Sequence, residues 1–377
     1  MKSNYRYIVK AFMAMAVIAG TTSCDDFLDR EPMSSISPET YYSTAAQLEA
    51  NLNDEYPNVL PSFGQWTYGI FGEDKGTDNQ IEVNANDRYT QDRWKVPHSE
   101  SDNWKFERIY RINFFLSEAL PKFGEDMSGS QNTISGSVAT IKHYIGEMYF
   151  LRAYEYFKKL QLFGDFPIIN QPLADEMEAL REASKRFPRN EVARFIISDL
   201  DKAYAYMSDV DMATTRINKD VAMLVKSRVA LFEATWLQNF KGTAFVPGGE
   251  GWPGASLHNN YQYPSGNIDN EVKYFLEQAV EASKLVADKY KGSLTENTGV
   301  LQQSADDPSN PYFDMFAQED LSDVKEVLLW RQYARGLSTH NINAAAGRGN
   351  YRIGLTRGFV QNFLMKDGTP VYAHGSY

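Results

Sequence analysis

Cysteine is almost absent: Cys24 is the only one in 377 residues. No internal disulfide can form, and CxxC redox or zinc motifs are missing. Histidine is as scarce, with five scattered copies. His143 and Glu147, four apart, could share a metal, yet two ligands do not make a site. Basic charge is in deficit, 38 Lys and Arg against 49 Asp and Glu. Taking off Lys2, Arg6 and Lys10 of the first 23 residues leaves 354 residues with a side-chain charge of −14. Nucleic-acid binding is excluded on that balance, because neutralising phosphates needs a basic surface. Electrostatic adhesion to anionic lipid is disfavoured for the same reason. No HExxH, GxSxG or GxxxxGK string occurs, so the common hydrolase and phosphate-loop motifs are missing. Gly347-Arg348-Gly349-Asn350 follows no clear strand and opens no helix. Long apolar runs are also lacking. The best, Ala11 to Gly20, has ten residues, about half of the roughly 20 that a membrane-spanning helix needs.

What is present begins with an address. Residues 1–23 run from a basic start through that apolar segment to Thr21, Thr22 and Ser23, the order of a secretory signal peptide. Cys24 directly follows, which points to a lipoprotein signal with an acylated cysteine; an ordinary signal peptide with an incidental cysteine is the alternative. Several acyl chains would anchor the protein stably, where one holds it only marginally. Asp25 and Asp26 after the cysteine resemble the surface-export signal of lipoproteins in the Bacteroidetes. Residues 24–377 are read as the functional domain.

Hydrophobic residues make up 43% and aromatics 14% of the chain, too rich for disorder and ample for a core. Six segments carry a helical period with start or stop signals. They are Ser43 to about Val59, Trp104 to Leu120 with Pro121 as the stop, and about Ser135 to Phe163 ended by Gly164-Asp165. Arg189 to Ser208, a helix capped by Asn218, and one after Asp269-Asn270 complete the set. Leu151, Phe157, Leu200, Val229 and Phe232 are expected in the core. Strand candidates are few: Glu326–Tyr333 and Phe166–Ile169. The fold class is therefore mainly α, with long irregular loops and a few short strands. Tyr144, Ala153, Phe157 and Pro167 overlap the second half of a tetratricopeptide pattern, which suggests paired helices.

Two long aromatic-rich connections, about Pro61–Asp102 and Gln238–Ile268, are the candidate functional loops, since connections of that length are usually functional or disordered. A sugar presents a C–H face to flat rings and hydroxyls to amides and carboxylates. Trp66, Trp94, Trp252, Tyr261 and Tyr263 are the stacking candidates, and Asn84, Asn86 and Asp92 the polar ones. The competing reading is that such rings anchor the loops on themselves. Trp252 and Trp94 fall outside every helical stripe, so the fold is expected to survive their loss. Glu73, Asp74 and Asp78 could serve a glycoside hydrolase or lyase, but nothing singles out a pair. Neither a cofactor nor a metal is implied.

Four blocks together resemble the SusD/RagB family of outer-membrane glycan-binding lipoproteins. They are Cys24–Asp29 with Pro38, Tyr41 and Tyr42; Trp104, Tyr110, Ile112 and Asn113; Glu147–Phe157 through Leu162–Ile169; and Arg216–Leu231, with Phe363, Met365, Asp367 and Gly368 later. The resemblance implies tetratricopeptide-like paired helices, a glycan site built on loops, and no catalysis. It also implies a partner, a SusC-like TonB-dependent outer-membrane barrel, and a cell-surface location on the outer membrane by lipid anchor. Family members continue past the last block, so the C-terminal part of the domain is expected to be missing after Tyr377. A polysaccharide-degrading lipoprotein and a peptide-binding repeat scaffold are the alternatives.

Overall fold

A computed structural model describes residues 41–61, 63, 73–83, 103–124, 126–208, 212–300, 304, 306–334, 339–340 and 353–374. Nine α-helices occur among them: α1 Ala45–Val59, α2 Glu107–Phe123, α3 Val138–Phe163, α4 Met177–Ala183, α5 Arg189–Tyr206, α6 Lys219–Asn239, α7 Ile268–Tyr290, α8 Pro311–Ala317 and α9 Arg357–Gln361. One two-stranded sheet joins β1 Gln80–Glu82 to β2 Ile353–Leu355, antiparallel, with Ile81 opposite Gly354. The mainly α expectation holds. No helix of the described residues is long and apolar enough to cross a membrane.

The helix starts follow local chemistry. Thr44 caps α1 in a capping box with Gln47, satisfying two donors that the helix would otherwise leave open. Ser137 accepts from Thr140 N at the start of α3, Asn218 from Val221 N before α6 and Asn267 from Asn270 N before α7. This last helix starts at Ile268, ahead of the expected boundary at Asp269-Asn270. Gly164 ends α3 with φ 68°, a backbone that favours glycine over any residue with a Cβ. Pro121 does not end α2, which runs on to Phe123. A proline in the last turn forfeits one N–H bond, and apolar Phe123, fully buried, outweighs it.

Packing runs α3 on α5, α5 on α6 and α6 on α7, with α1 and α2 against α3. Gly146 makes the α3–α5 approach possible: a Cβ there would lie 2.8 Å from Met207 N and 2.9 Å from Ala203 O. The core takes Leu151, Phe157, Leu200 and Val229 as expected. Phe232 is a correction, only partly buried at its edge. The inward face of α6 instead follows Ala222, Lys226, Val229, Ala230, Glu233 and Leu237, and Leu224 is left exposed.

Buried charges pair with one another where helices meet. Arg152 grips Asp199 with Nε–Oδ2 2.6 Å and Nη2–Oδ1 2.8 Å, and donates also to Asn113 Oδ1 and Asn170 O. One guanidinium thus ties α2, α3, α5 and the segment after Gly164. That segment, Phe166–Ile169, is no strand beyond a bridge from Phe166 to Phe187. Its backbone polar groups are met by side chains instead: Ile169 N donates to Tyr156 Oη, and Ile169 O accepts from Tyr156 and Asn113. Glu326–Tyr333 is likewise irregular. Leu328 O accepts from Asn218 Nδ2, and Trp330 N donates to Thr214 O, so the backbone demand that would build a ladder is met locally.

Candidate functional site

Two separate clefts with aromatic walls lie on this scaffold. The first, about 590 Å³, is built from Tyr56 of α1 and Leu60 just past its end, Phe150 and Tyr154 of α3, and Leu329 to Gln332. Its floor is rigid because Tyr56 Oη donates to Glu147 Oε2 at 2.8 Å and accepts from Ile217 N at 2.9 Å. Arg216 holds the same carboxylate with two bonds of 3.0 and 2.7 Å. His143 Nε2 lies 3.1 Å from Glu147 Oε1 and 3.0 Å from Ile217 O. Burial, with Glu147 beside it, pushes the Tyr56 phenol well above its usual range, so it stays protonated as a donor. The His143–Glu147 pair is therefore part of a hydrogen-bonded floor. Among the described residues no group of three or more His, Cys, Asp or Glu could hold a metal.

The wall opposite is set by Trp330. Its indole Nε1 donates to Thr214 Oγ1 at 2.8 Å, and Asn218 pins the preceding turn through Leu328 O. Trp330 and Tyr154 are each half-buried, so each retains open ring surface. Thr215, Arg331 and Gln332 supply polar groups at the rim. Among the described residues no Asp or Glu lines this cleft. Flat rings beside hydroxyl, amide and guanidinium groups suit a ligand with apolar C–H faces and many hydroxyls.

The second cleft, about 600 Å³, lies where the C-terminal ends of α3 and α6 meet the 241–267 loop. Asp165 Oδ1 accepts from Arg189 N at 2.9 Å, closing the start of α5, and Oδ2 from Trp252 Nε1 at 2.8 Å. Burial raises the Asp165 carboxyl above its usual range, against the pull of those two donors and of Arg189 and Arg186. Arg189 is itself bound to Glu233 at 2.8 Å and covers the Trp236 ring at 4.1 Å.

The expected site residues fare unevenly. Trp66, Trp94, Asn84, Asn86 and Asp92 lie outside the described residues, as does Cys24. Trp252, Tyr261 and Tyr263 do cluster, with ring centroids 5.6 and 5.2 Å apart in succession. Their polar atoms point inward, however. Tyr261 Oη pairs with Asn190, and Tyr263 Oη donates to Pro247 O at 2.6 Å. Trp252 is only 5% exposed, with His258 stacked at 5.9 Å and Gly254 against the ring. The expectation that Trp252 stands outside the packed interior is overturned. Its tryptophan chemistry is used to anchor the loop. Glu73, Asp74 and Asp78 are all exposed, and none lines either cleft. Tyr154 and Trp330 escaped notice because one falls in a helical stripe and the other in an apparent strand.

Residues 26–231 match the sequence profile of the SusD-like family, described as starch-binding and associating with the outer membrane. That is more than half of the chain. The chain belongs to the SusD-like family. Among curated relatives, SusD-like protein P2 of Formosa agariphila is 25% identical over 253 residues, 64% of this chain and 46% of the relative. SusD-like protein P25 of the same organism is 25% identical over 233 residues, 57% of this chain and 41% of the relative. The chain thus spans somewhat less than half the length of the relatives it matches. A SusD-like carbohydrate-binding protein of Bacteroides fragilis superposes with TM-score 0.51 at 14% identity, over 89% of this chain and 56% of the other. At that identity the likeness is one of fold.

Proposed function

We propose that this protein is a non-catalytic glycan-binding lipoprotein of the outer-membrane surface. It captures oligosaccharides and delivers them to a SusC-like TonB-dependent barrel. The observation that carries the reading is the first cleft, in a chain of the SusD-like family: Tyr154 and Trp330 as walls, with Thr215, Arg331 and Gln332 at the rim. Pro61 lines that cleft, and the connection bearing Trp66, Asn84, Asn86, Asp92 and Trp94 follows it directly in sequence. These residues are proposed to complete the site.

A binder without catalysis suits the walls. Glycoside hydrolysis needs two carboxyl groups roughly 5–10 Å apart, whereas among the described residues the first cleft is lined by none and the second by Asp165 alone. Asp92, proposed to complete the first, would bring a single carboxyl there. Both Asp165 oxygens already accept hydrogen bonds. Residues 1–23 are read as the signal peptide and Cys24 as the acylated anchor of the domain 24–377.

Affinity electrophoresis against a panel of polysaccharides, with wild type and Trp330→Ala side by side, tests the binding function. Retardation by at least one glycan, lost in the variant, is the expected result; no retardation by any contradicts it. Released reducing ends would show an enzyme instead. Cys24→Ser is expected to move the protein from membranes to the soluble fraction, and a pull-down from outer membranes to recover the barrel.

A further inference from the structure

The second cleft shares no lining residue with the first. Val225, at the first cleft, and Trp236, at the second, lie on one helix, about 16 Å apart at 1.5 Å per residue. Of the four charged groups around the second cleft, three are hydrogen-bonded inside the protein. Asp165 accepts from Arg189 N and Trp252 Nε1. Glu233 holds Arg189 through both oxygens. The fourth, Arg186, lines the cleft and is exposed. Among the described residues its guanidinium makes no hydrogen bond or ion pair. Its Cζ lies over the Trp104 ring, 4.5 Å from the centroid, a cation–π contact that uses no N–H donor as a hydrogen bond would.

The backbone presents Arg186 firmly. Its carbonyl accepts from His258 Nε2 at 2.8 Å, and Phe187 beside it exchanges two hydrogen bonds with Phe166, 3.0 and 3.2 Å long. Phe245, Leu162 and Leu257 line the same cleft and are 61%, 56% and 54% exposed although they border a cavity. A cation with no hydrogen-bond or ion-pair partner among the described residues, in one cleft with uncovered apolar side chains, calls for a ligand that carries both a carboxylate and a C–H face.

We propose that this cleft is a second binding site, specific for an acidic sugar of the uronate class. The carboxylate of the sugar accepts the Arg186 fork, and the face of its pyranose ring rests on Phe245. The site works independently of the first cleft, so its fate does not depend on what that cleft binds.

Calorimetry with a galacturonate tetramer, and with a neutral glucose tetramer as control, tests this on the full chain. The variants are Arg186→Gln, Phe245→Ala and Trp330→Ala, each checked by its unfolding transition to be folded. The galacturonate tetramer should bind the wild type and weaken as sodium chloride rises. Arg186→Gln should cost about ten- to a hundredfold, the worth of charged hydrogen bonds. Phe245→Ala should weaken binding too, and Trp330→Ala should leave it unchanged. Several results overturn the proposal: no galacturonate binding, wild-type affinity in Arg186→Gln, or loss only in Trp330→Ala. Neutral-tetramer binding equally sensitive to Arg186 would overturn the acidic class. Equal competition by tetraglutamate would overturn the sugar class.

Discussion

Tyr156 sits in helix α3 and Trp252 in the irregular 241–267 loop, yet the two are built alike. Tyr156 is fully buried and Trp252 nearly so. Each directs its polar atom to a partner from another part of the chain, Tyr156 Oη to Ile169 and Trp252 Nε1 to Asp165. Trp330, also in irregular backbone, has its Nε1 engaged as well but is only half-buried beside a cavity. The difference shows that neither loop location nor an engaged polar atom separates anchor from binding wall. Ring surface left open does.

The largest effects should come from the anchors. Asp199→Ala strands the Arg152 guanidinium in the interior, and unfolding by denaturant should show a loss of about 3–5 kcal/mol. Trp252→Ala should cost about 3 kcal/mol or more by the same measurement, as for a buried aromatic. Trp252→Phe keeps a six-membered ring but loses the pyrrole part and the bond to Asp165, so a smaller loss of about 1–3 kcal/mol is expected. A Trp252→Ala protein as stable as the wild type would return Trp252 to the class of exposed platforms. Phe245→Ala, by contrast, should leave stability within about 0.5 kcal/mol, as for a surface change.

A finer comparison concerns two buried Arg–Glu pairs. Burial raises Glu233 above the usual carboxylate range, and Arg189 only partly offsets this. Burial pushes Glu271 the same way, but Arg194, Asn190 and Ser265 N donate to it and bring it below that range. The signs are therefore opposite. Glu271 contributes stability that is present above its unfolded pKa and lost as pH falls through the depressed folded value. The contribution of Glu233 is present below its unfolded pKa and lost as pH rises through the raised one. Unfolding midpoints across pH should show the wild type losing its advantage over Glu271→Gln on acidification and gaining relative to Glu233→Gln. Parallel curves for the two variants would contradict the assignment.

Helices were legible in the sequence where period and caps agreed, as with Asn218 before α6 and Gly164 after α3. The phase of α6 was less so, because Lys226 and Glu233 point inward and an apolar stripe cannot register a buried charge with a distant partner. Strands β1 and β2 have three residues each, too short for an alternation to show. They pair positions more than 270 apart. Phe166–Ile169 and Glu326–Tyr333 read as strands because β-branched and aromatic residues also suit extended segments held by side-chain hydrogen bonds. Loop chemistry identified a family of sites more readily than the residues within it. Tyr261 and Tyr263 have the composition of a sugar platform, and nothing near them in sequence shows that Asn190 and Pro247 engage their hydroxyls. Nothing local to Trp330 announces that Thr214 and Tyr154 stand beside it.

The central claim is that the first cleft is a sugar-binding surface without catalytic function. Calorimetric titration of wild type and Trp330→Ala with the glycan that retards the protein most, run with an assay for new reducing ends, tests it most directly. The account predicts saturable binding by the wild type and a loss of about 2–4 kcal/mol in the variant, more than tenfold in affinity. It also predicts a variant that stays folded, its unfolding midpoint lowered only by the loss of the Trp330–Thr214 bond and part of the ring's packing, and no reducing ends. Wild-type affinity in Trp330→Ala, or sugar cleavage by the wild type, would contradict it.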